Sequence, residues 1–237
     1  MKHNPIESIR AVAALVKNPD DTAQVFRLVN ALGGTPTSIL RTFATSTPAQ
    51  RLLRERPDVR ARLNDREALA RLPEGSLGRV YLTFMEGDRL DAGYLAEVDE
   101  GENTNRTLES DEDRWIGERI RDTHDLWHAL TGYGGDLLGE SALLAFSFAQ
   151  TRGALFGILG AVAYLRSDDE DARRLILDGF ARGMVAAWLP ALPWEELLAE
   201  PVSELRRRYR IGEPRVYTPV TAAEMMAERE VEARLAS

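Results

Sequence analysis

An all-α fold is expected for this chain. Apolar residues recur at helical spacing in segment after segment. Glycine and proline clusters punctuate those segments, and none shows the sustained alternation of a half-buried strand. Residues 6–17 and 22–32 are predicted as short helices, the second closed by Gly33-Gly34. Residues 36–55 are helical again and stop before Pro57, and residues 58–71 have the charged, amphipathic pattern of an exposed helix. Leu72-Pro73-Glu74-Gly75-Ser76-Leu77-Gly78 is a turn cluster. Arg79–Met85 behind it suits a helix or a strand, since Val80, Tyr81, Leu82, Thr83 and Phe84 include strand formers. Residues 87–110 are polar and read as an irregular connection.

The second half is more strongly patterned. Residues 113–131 predict a helix with Ile116, Ile120, Trp127 and Leu130 on one face and Arg114, Glu118, Arg121 and Asp122 on the other. His124 and His128 edge the apolar stripe. Gly132-Tyr133-Gly134-Gly135 should break the helix, with Asp136 capping the next one. From Ser141 to Leu165 the only charge is Arg152. That run predicts a long apolar helix, long enough to cross a bilayer and read here as the buried central helix. Its Gly153, Gly157 and Gly160 permit close approach of a neighbouring backbone or a ligand. Residues 169–189 form a helix stopped by Pro190 and Pro193. Residues 194–210 form another, ending in Arg206-Arg207-Arg208-Tyr209-Arg210, and 221–235 read as an exposed charged tail helix.

Bulk composition narrows the function. A chain of 237 residues with 44% hydrophobic and 29% charged side chains is expected to form one helical domain with a real core. The net charge of −8 argues against a broad nucleic-acid footprint. With no cysteine there is no disulfide, thiolate nucleophile, cysteine-ligated zinc or iron–sulfur cluster, so any metal must be held by nitrogen and oxygen. The first residues lack a long apolar stretch and mix acids with bases, so no signal or transit peptide is expected. A cytoplasmic, bacterial protein is the default expectation.

Chemistry concentrates in His124-Asp125-Leu126-Trp127-His128, followed at Glu140 by a carboxylate. Two of only three histidines lie one helical turn apart, on one face, close enough to bind one cation. Glu140 opens the next helix across the glycine-rich corner. Two imidazoles and a carboxylate suit zinc, iron(II) or manganese(II) and leave coordination positions open, a catalytic arrangement. Asp125 is read either as a fourth ligand or base acting on water, or as the partner of Arg121 in a surface ion pair. The histidines have a plainer reading as satisfied polar side chains, and Glu140 has one as a favourable charge at a helix N-terminus.

HDLWHALTG with LLGE behind it, and LPEGSLGRVYLTFM upstream, resemble the coenzyme Q (ubiquinone) biosynthesis family of the Coq-four type. The resemblance covers roughly residues 28–211, leaving 212–237 as a C-terminal tail. It implies an all-helical fold and a divalent metal on His124, Asp125, His128 and Glu140. It also implies apolar helices that take a polyisoprenoid tail, and oxidative loss of the ring C1 carboxyl from a prenylated hydroxybenzoate. The implied partners are a prenylated quinone precursor and other ubiquinone-synthesising enzymes, and a homodimer is expected as well. Peripheral contact with the cytoplasmic face of the inner membrane is a further expectation, with Arg206–Arg208 as candidate contacts for anionic lipid. Two other readings remain open here: a non-catalytic lipid-binding scaffold, and a metallohydrolase with Asp125 as base.

Overall fold

The computed structural model describes residues 37–87 and 110–220. The helices expected over 6–17, 22–32 and 221–235, and nearly all of the polar 87–110 connection, lie outside the described residues. Within them all regular structure is helical: twelve α-helices and one 3-10 turn. In chain order these are α1 (Thr37–Thr45), α2 (Thr47–Glu55), α3 (Val59–Asn64), α4 (Arg66–Ala70), α5 (Leu77–Gly87), α6 (Asp111–Asp122), α7 (His124–Thr131) and α8 (Leu137–Thr151). They continue with α9 (Ala154–Arg166), α10 (Glu170–Val185), the 3-10 turn Leu189–Ala191, α11 (Trp194–Leu197) and α12 (Val202–Arg208).

Several expected helices are divided, each for a visible local reason. Pro48 in the first turn of α2 separates it from α1. Asp65 closes α3, and its carboxylate accepts from the Ala68 amide to start α4 (2.9 Å). Thr123, with φ −96° and ψ 0°, marks the joint between α6 and α7, though Trp127 N–H still reaches the Thr123 carbonyl at 3.3 Å. Pro201 precedes α12 and parts it from α11. The ambiguous Arg79–Met85 is helical. The turn before it is pinned to the 198–202 loop by Leu77 N–H to Glu200 O (2.9 Å) and Gly78 N–H to Leu198 O (2.8 Å). A β-carbon at Gly78 would meet Leu72 Cδ1 at 2.5 Å and Leu198 O at 3.2 Å, so a side chain here would have to displace the leucine and crowd the loop backbone.

The long apolar helix over 141–165 does not form. The chain leaves α8 at Arg152, which takes the left-handed conformation (φ 55°), and re-enters a helix after Gly153. The polar residues of the middle of the run make this break. Thr151 Oγ1 donates to Ser147 O (2.7 Å) and accepts from Gly153 N–H (3.1 Å). Gln150 is used at both ends of its amide, donating to Gly183 O (2.7 Å) and accepting from Leu189 N–H (2.8 Å). The apolar run therefore folds back as a hairpin. Gly157 faces the Phe148 ring, and Gly160 faces the Ala145 backbone. Among the described residues no helix is long and apolar enough to cross a membrane.

The core is built on α8. Its partner α10 presents Gly179 and Gly183 at helical spacing, where a β-carbon would overlap the Ala142 carbonyl oxygen or lie 2.7 Å from that of Phe146. Backbone approaches backbone there, and the small residues are required by contact rather than by flexibility. Trp127, the motif tryptophan, is buried edge-on against Phe146 (6.2 Å, 76°), joining α7 to α8. A second, smaller core gathers Ile39, Phe43, Ala49, Leu52 and Ile116. Buried Arg119 fastens α6 to α11, donating to both Glu195 oxygens (2.6 and 2.9 Å) and to Leu192 O (2.9 Å).

Gly179→Ala is expected to destabilise the protein by about 1–3 kcal/mol, the usual range for overpacking a tight core. Gly87→Ala, where an added methyl meets nothing within 4 Å, should be neutral or slightly stabilising. Urea unfolding of the two variants beside the parent measures the difference.

Candidate metal centre

The corner between α7 and α8 brings the motif together. Gly132 ends α7 in the left-handed region (φ 82°), its N–H on His128 O at 2.8 Å. Asp136 caps α8, with Oδ1 accepting from the amides of Leu138 (3.1 Å) and Gly139 (3.3 Å). Gly139 is pressed onto the strand of chain before it: a β-carbon there would overlap Gly134 O and lie 2.5 Å from the Tyr217 hydroxyl. One turn into α8, Glu140 faces back toward α7. The glycine-rich corner acts as expected, allowing the first turn of α8 to close on the histidine helix.

His124, His128 and Glu140 each offer a donor atom within 4.8 Å of the others. His128 Nε2 lies 3.0 Å from Glu140 Oε1. The two imidazoles meet edge-on, centroids 4.9 Å apart at 74°. His128 is not at the edge of a stripe. Its side chain is fully buried, because α7 runs into the core and Leu126 through Thr131 are all enclosed. Phe84 of α5 stacks on its ring at 4.8 Å and 18°.

The hydrogen bonding of His128 decides what can sit beside it. Its Nδ1 is 3.0 Å from the Tyr133 carbonyl, which only accepts, so Nδ1 carries the proton. In the neutral ring Nε2 is then a bare lone pair. It is buried and lacks a hydrogen-bond partner; the 3.0 Å approach to Glu140 does not have hydrogen-bond geometry. A buried lone pair beside a carboxylate oxygen is an arrangement a cation satisfies and a protonless pair does not. The residues present therefore fit a divalent metal. His124, His128 and Glu140 would hold it, with Tyr133 O as the outer contact that fixes the His128 tautomer.

Asp125 stands apart from the three converging donors. Its Oδ1 accepts from His124 Nδ1 at 3.2 Å, and both side chains are about two-fifths exposed (40% and 38%). Burial pushes the Asp125 carboxyl up, but the hydrogen bond from His124 and the charge of that ring outweigh it and leave it below its usual range. Arg121 pairs with its neighbour Asp122 (3.6 Å) instead of with Asp125. The Asp125–His124 contact is of the carboxylate–histidine kind that commonly orients a metal-binding imidazole. A cleft of about 370 Å³ opens beside it, lined by Arg60, Leu63, Asn64, Tyr81, Arg121, Asp122 and Asp125. Burial, with the Asp125 charge adding to it, pushes the Tyr81 phenol up to about 12, so at neutral pH Tyr81 is a hydroxyl donor.

Three participants were not read from the sequence: Phe84, the Tyr133 carbonyl and Tyr217. Phe84 lies in LPEGSLGRVYLTFM, so the proximity of that element to HDLWH was its available signal. A backbone carbonyl leaves no sequence signal. The arginine run proves largely self-paired. Arg206 bonds Leu130 O (2.8 Å) and Glu213, Arg207 pairs with Glu204, and Arg208 with Glu200 (3.0 Å).

Residues 3–215 match the family described as "Coenzyme Q (ubiquinone) biosynthesis protein Coq4". A relative from Danio rerio, named ubiquinone biosynthesis protein COQ4 homolog, mitochondrial, is 31% identical over 220 residues, covering 89% of this chain and 77% of that one. The COQ4 protein of Paracoccidioides brasiliensis is 34% identical over 207 residues, covering 86% of this chain and 66% of its own length. The chain spans 62% of the length of the Aspergillus clavatus relative and 66% of the Aspergillus fumigatus one. A solved structure of a proposed ubiquinone biosynthesis protein from Nostoc punctiforme shares the fold, with a TM-score of 0.64 at 23% identity, covering 90% of this chain and all of that one.

Replacing His128 or Glu140 by alanine is expected to abolish stoichiometric metal in protein purified without chelators. Asp125→Asn should keep the stoichiometry but weaken affinity by roughly 10- to 100-fold, the usual effect of losing an outer contact. Elemental analysis and chelator competition give both readouts. Loss of all metal from Asp125→Asn would instead make Asp125 a direct ligand.

Proposed function

The chain belongs to the coenzyme Q (ubiquinone) biosynthesis family Coq4, and from that premise we propose that it is a metal-dependent protein of prenylquinone synthesis. In this reading it binds a polyprenylated hydroxybenzoate-type lipid and removes the ring C1 carboxyl oxidatively. The observation that carries the reading is the convergence of His124, His128 and Glu140 within 4.8 Å, with the buried Nε2 of His128 lacking a hydrogen-bond partner.

A zinc, iron(II) or manganese(II) ion held there supplies Lewis acidity toward the carboxylate and phenolate of a head group, and iron(II) also suits oxygen chemistry. The protein's own residues bind and orient. Buried His128 and partly buried Glu140 form the fixed half of the site, while half-exposed His124 and Asp125 form the half a ligand can reach. Tyr81 offers a neutral hydroxyl in the cleft beside Asp125, and Arg60 and Arg121 line the same cleft. Partly buried apolar side chains that suit a prenyl chain include Phe84, Met85 and Leu138 around the core, and α9 is uncharged up to Arg166 with much of its surface half-exposed. The partners proposed with this reading are the prenyl lipid, other enzymes of quinone synthesis, a second copy of the chain and a membrane surface.

One observation favours a second reading, a scaffold that holds the lipid without turning it over. Asp125, the residue best placed to act as a base, is engaged by His124 and acidified by it, which makes it a poor proton acceptor.

The two readings part on turnover. Purified protein is given a prenylated 4-hydroxybenzoate labelled at the carboxyl carbon, iron(II) and oxygen, and released carbon dioxide is followed by mass spectrometry. Labelled carbon dioxide from the parent and none from His128→Ala is expected. Lipid that binds tightly but releases no label would establish the scaffold.

A further inference from the structure

We propose that Tyr217, beyond the end of the family match at residue 215, is a positioning residue of the metal centre, its hydroxyl setting the spacing between His128 and Glu140. The inference rests on the reading of these side chains as metal ligands.

The hydroxyl touches both halves of the corner. It accepts from Gly134 N–H at 2.9 Å and donates to Asp136 Oδ2 at 2.7 Å. Gly134 follows Tyr133, whose carbonyl fixes the His128 tautomer. Asp136 caps the helix whose first turn carries Glu140. A single oxygen therefore bridges the segment that orients one ligand and the cap that orients the other. The chain on either side reinforces the bridge. Val220 N–H donates to Asp136 Oδ1 (3.1 Å), and Leu137 N–H donates to Val220 O (3.0 Å). The Asp136 carboxylate, 8% exposed, thus accepts from three amides and one phenol. Upstream, buried Arg182 holds the strap in place by donating to Ile211 O (3.1 Å), Gly212 O (3.0 Å) and Thr131 O (2.8 Å).

The fit leaves no slack. A β-carbon at Gly139 would lie 2.5 Å from the Tyr217 hydroxyl, and one at Gly134 would lie 3.1 Å from it. The phenol fills the space that the two glycines leave, so without its oxygen the corner keeps its packing but loses the bond that sets its width.

The probe is cobalt(II), which reports both affinity and ligand geometry through its visible spectrum. In the full-length chain, Tyr217→Phe should weaken cobalt(II) binding about tenfold or more, as loss of an outer contact does. It should also shift the absorption bands. Asp136→Asn should do the same to a lesser degree, and the double variant should be no worse than the worse single, because both remove one bridge. Should Tyr217→Phe fail to accumulate as folded protein, Asp136→Asn asks the same question with the phenol intact. A lowered melting temperature with affinity and spectrum unchanged would make the strap merely structural and overturn the proposal. A parent protein that binds no cobalt(II) would overturn the metal reading and this proposal with it. Binding by the parent that is lost in His128→Ala but unaltered in Tyr217→Phe would overturn this proposal alone.

Discussion

The Gly139 α-carbon sits so close to the Gly134 carbonyl oxygen that no side chain fits between them, and the site depends on this approach. It folds the first turn of α8 back against the end of α7, which puts Glu140 3.0 Å from His128. Had residue 139 carried a methyl group, the corner would open and the two donors would separate by the amount the backbone moved. The approach is in turn held from outside by the Asp136 cap and the strap ending at Val220, and from inside by Trp127 against Phe146. The ligand pair thus inherits its rigidity from backbone contact and helix capping rather than from the ligands themselves.

The same device recurs in the core. Gly179 and Gly183 bring α10 onto the backbone of α8, so the helix bearing Glu140 is gripped along its length as well as at its start. The α6–α7 joint at Thr123 allows the opposite: the charged α6 stays at the surface while α7, one residue later, enters the core.

The helical class and the grouping of His124, His128 and Glu140 could be read from the sequence because both rest on local rules. Period, glycine corner and Asp136 cap lie within one turn of the residues they affect, and HDLWH is short enough to sit on one helix. What could not be read was set at a distance. The apolar stretch over 141–165 has a helical period throughout, and only Gln150, Thr151 and Gly153 betray the hairpin. Their message depends on Gly183 and Leu189, which receive the Gln150 amide. His128 was placed at the border of a stripe because a helical wheel knows one helix, whereas its burial is made by α5 and α8 together. Tyr217 lay in a segment with no period at all, and its importance comes wholly from a contact with residues 83 and 81 positions earlier.

Burial of His128 also settles how the site relates to folding. In the absence of an ion the fold holds an imidazole lone pair and a carboxylate oxygen at 3.0 Å, with Phe84 stacked on the ring and water excluded from Nε2. Such an arrangement is unfavourable on its own, because the buried Nε2 does not regain the hydrogen bond it had in water. An ion between them would remove that cost, and the arrangement that could hold it exists only in the folded chain, since the donors come from two helices joined by the corner. Binding free energy would then be in part folding free energy. The half-exposed pair, His124 and Asp125, carries no comparable penalty. The asymmetry would divide the labour: His128 on the buried side would anchor an ion, while His124 and Asp125, held to each other, are the side that solvent reaches.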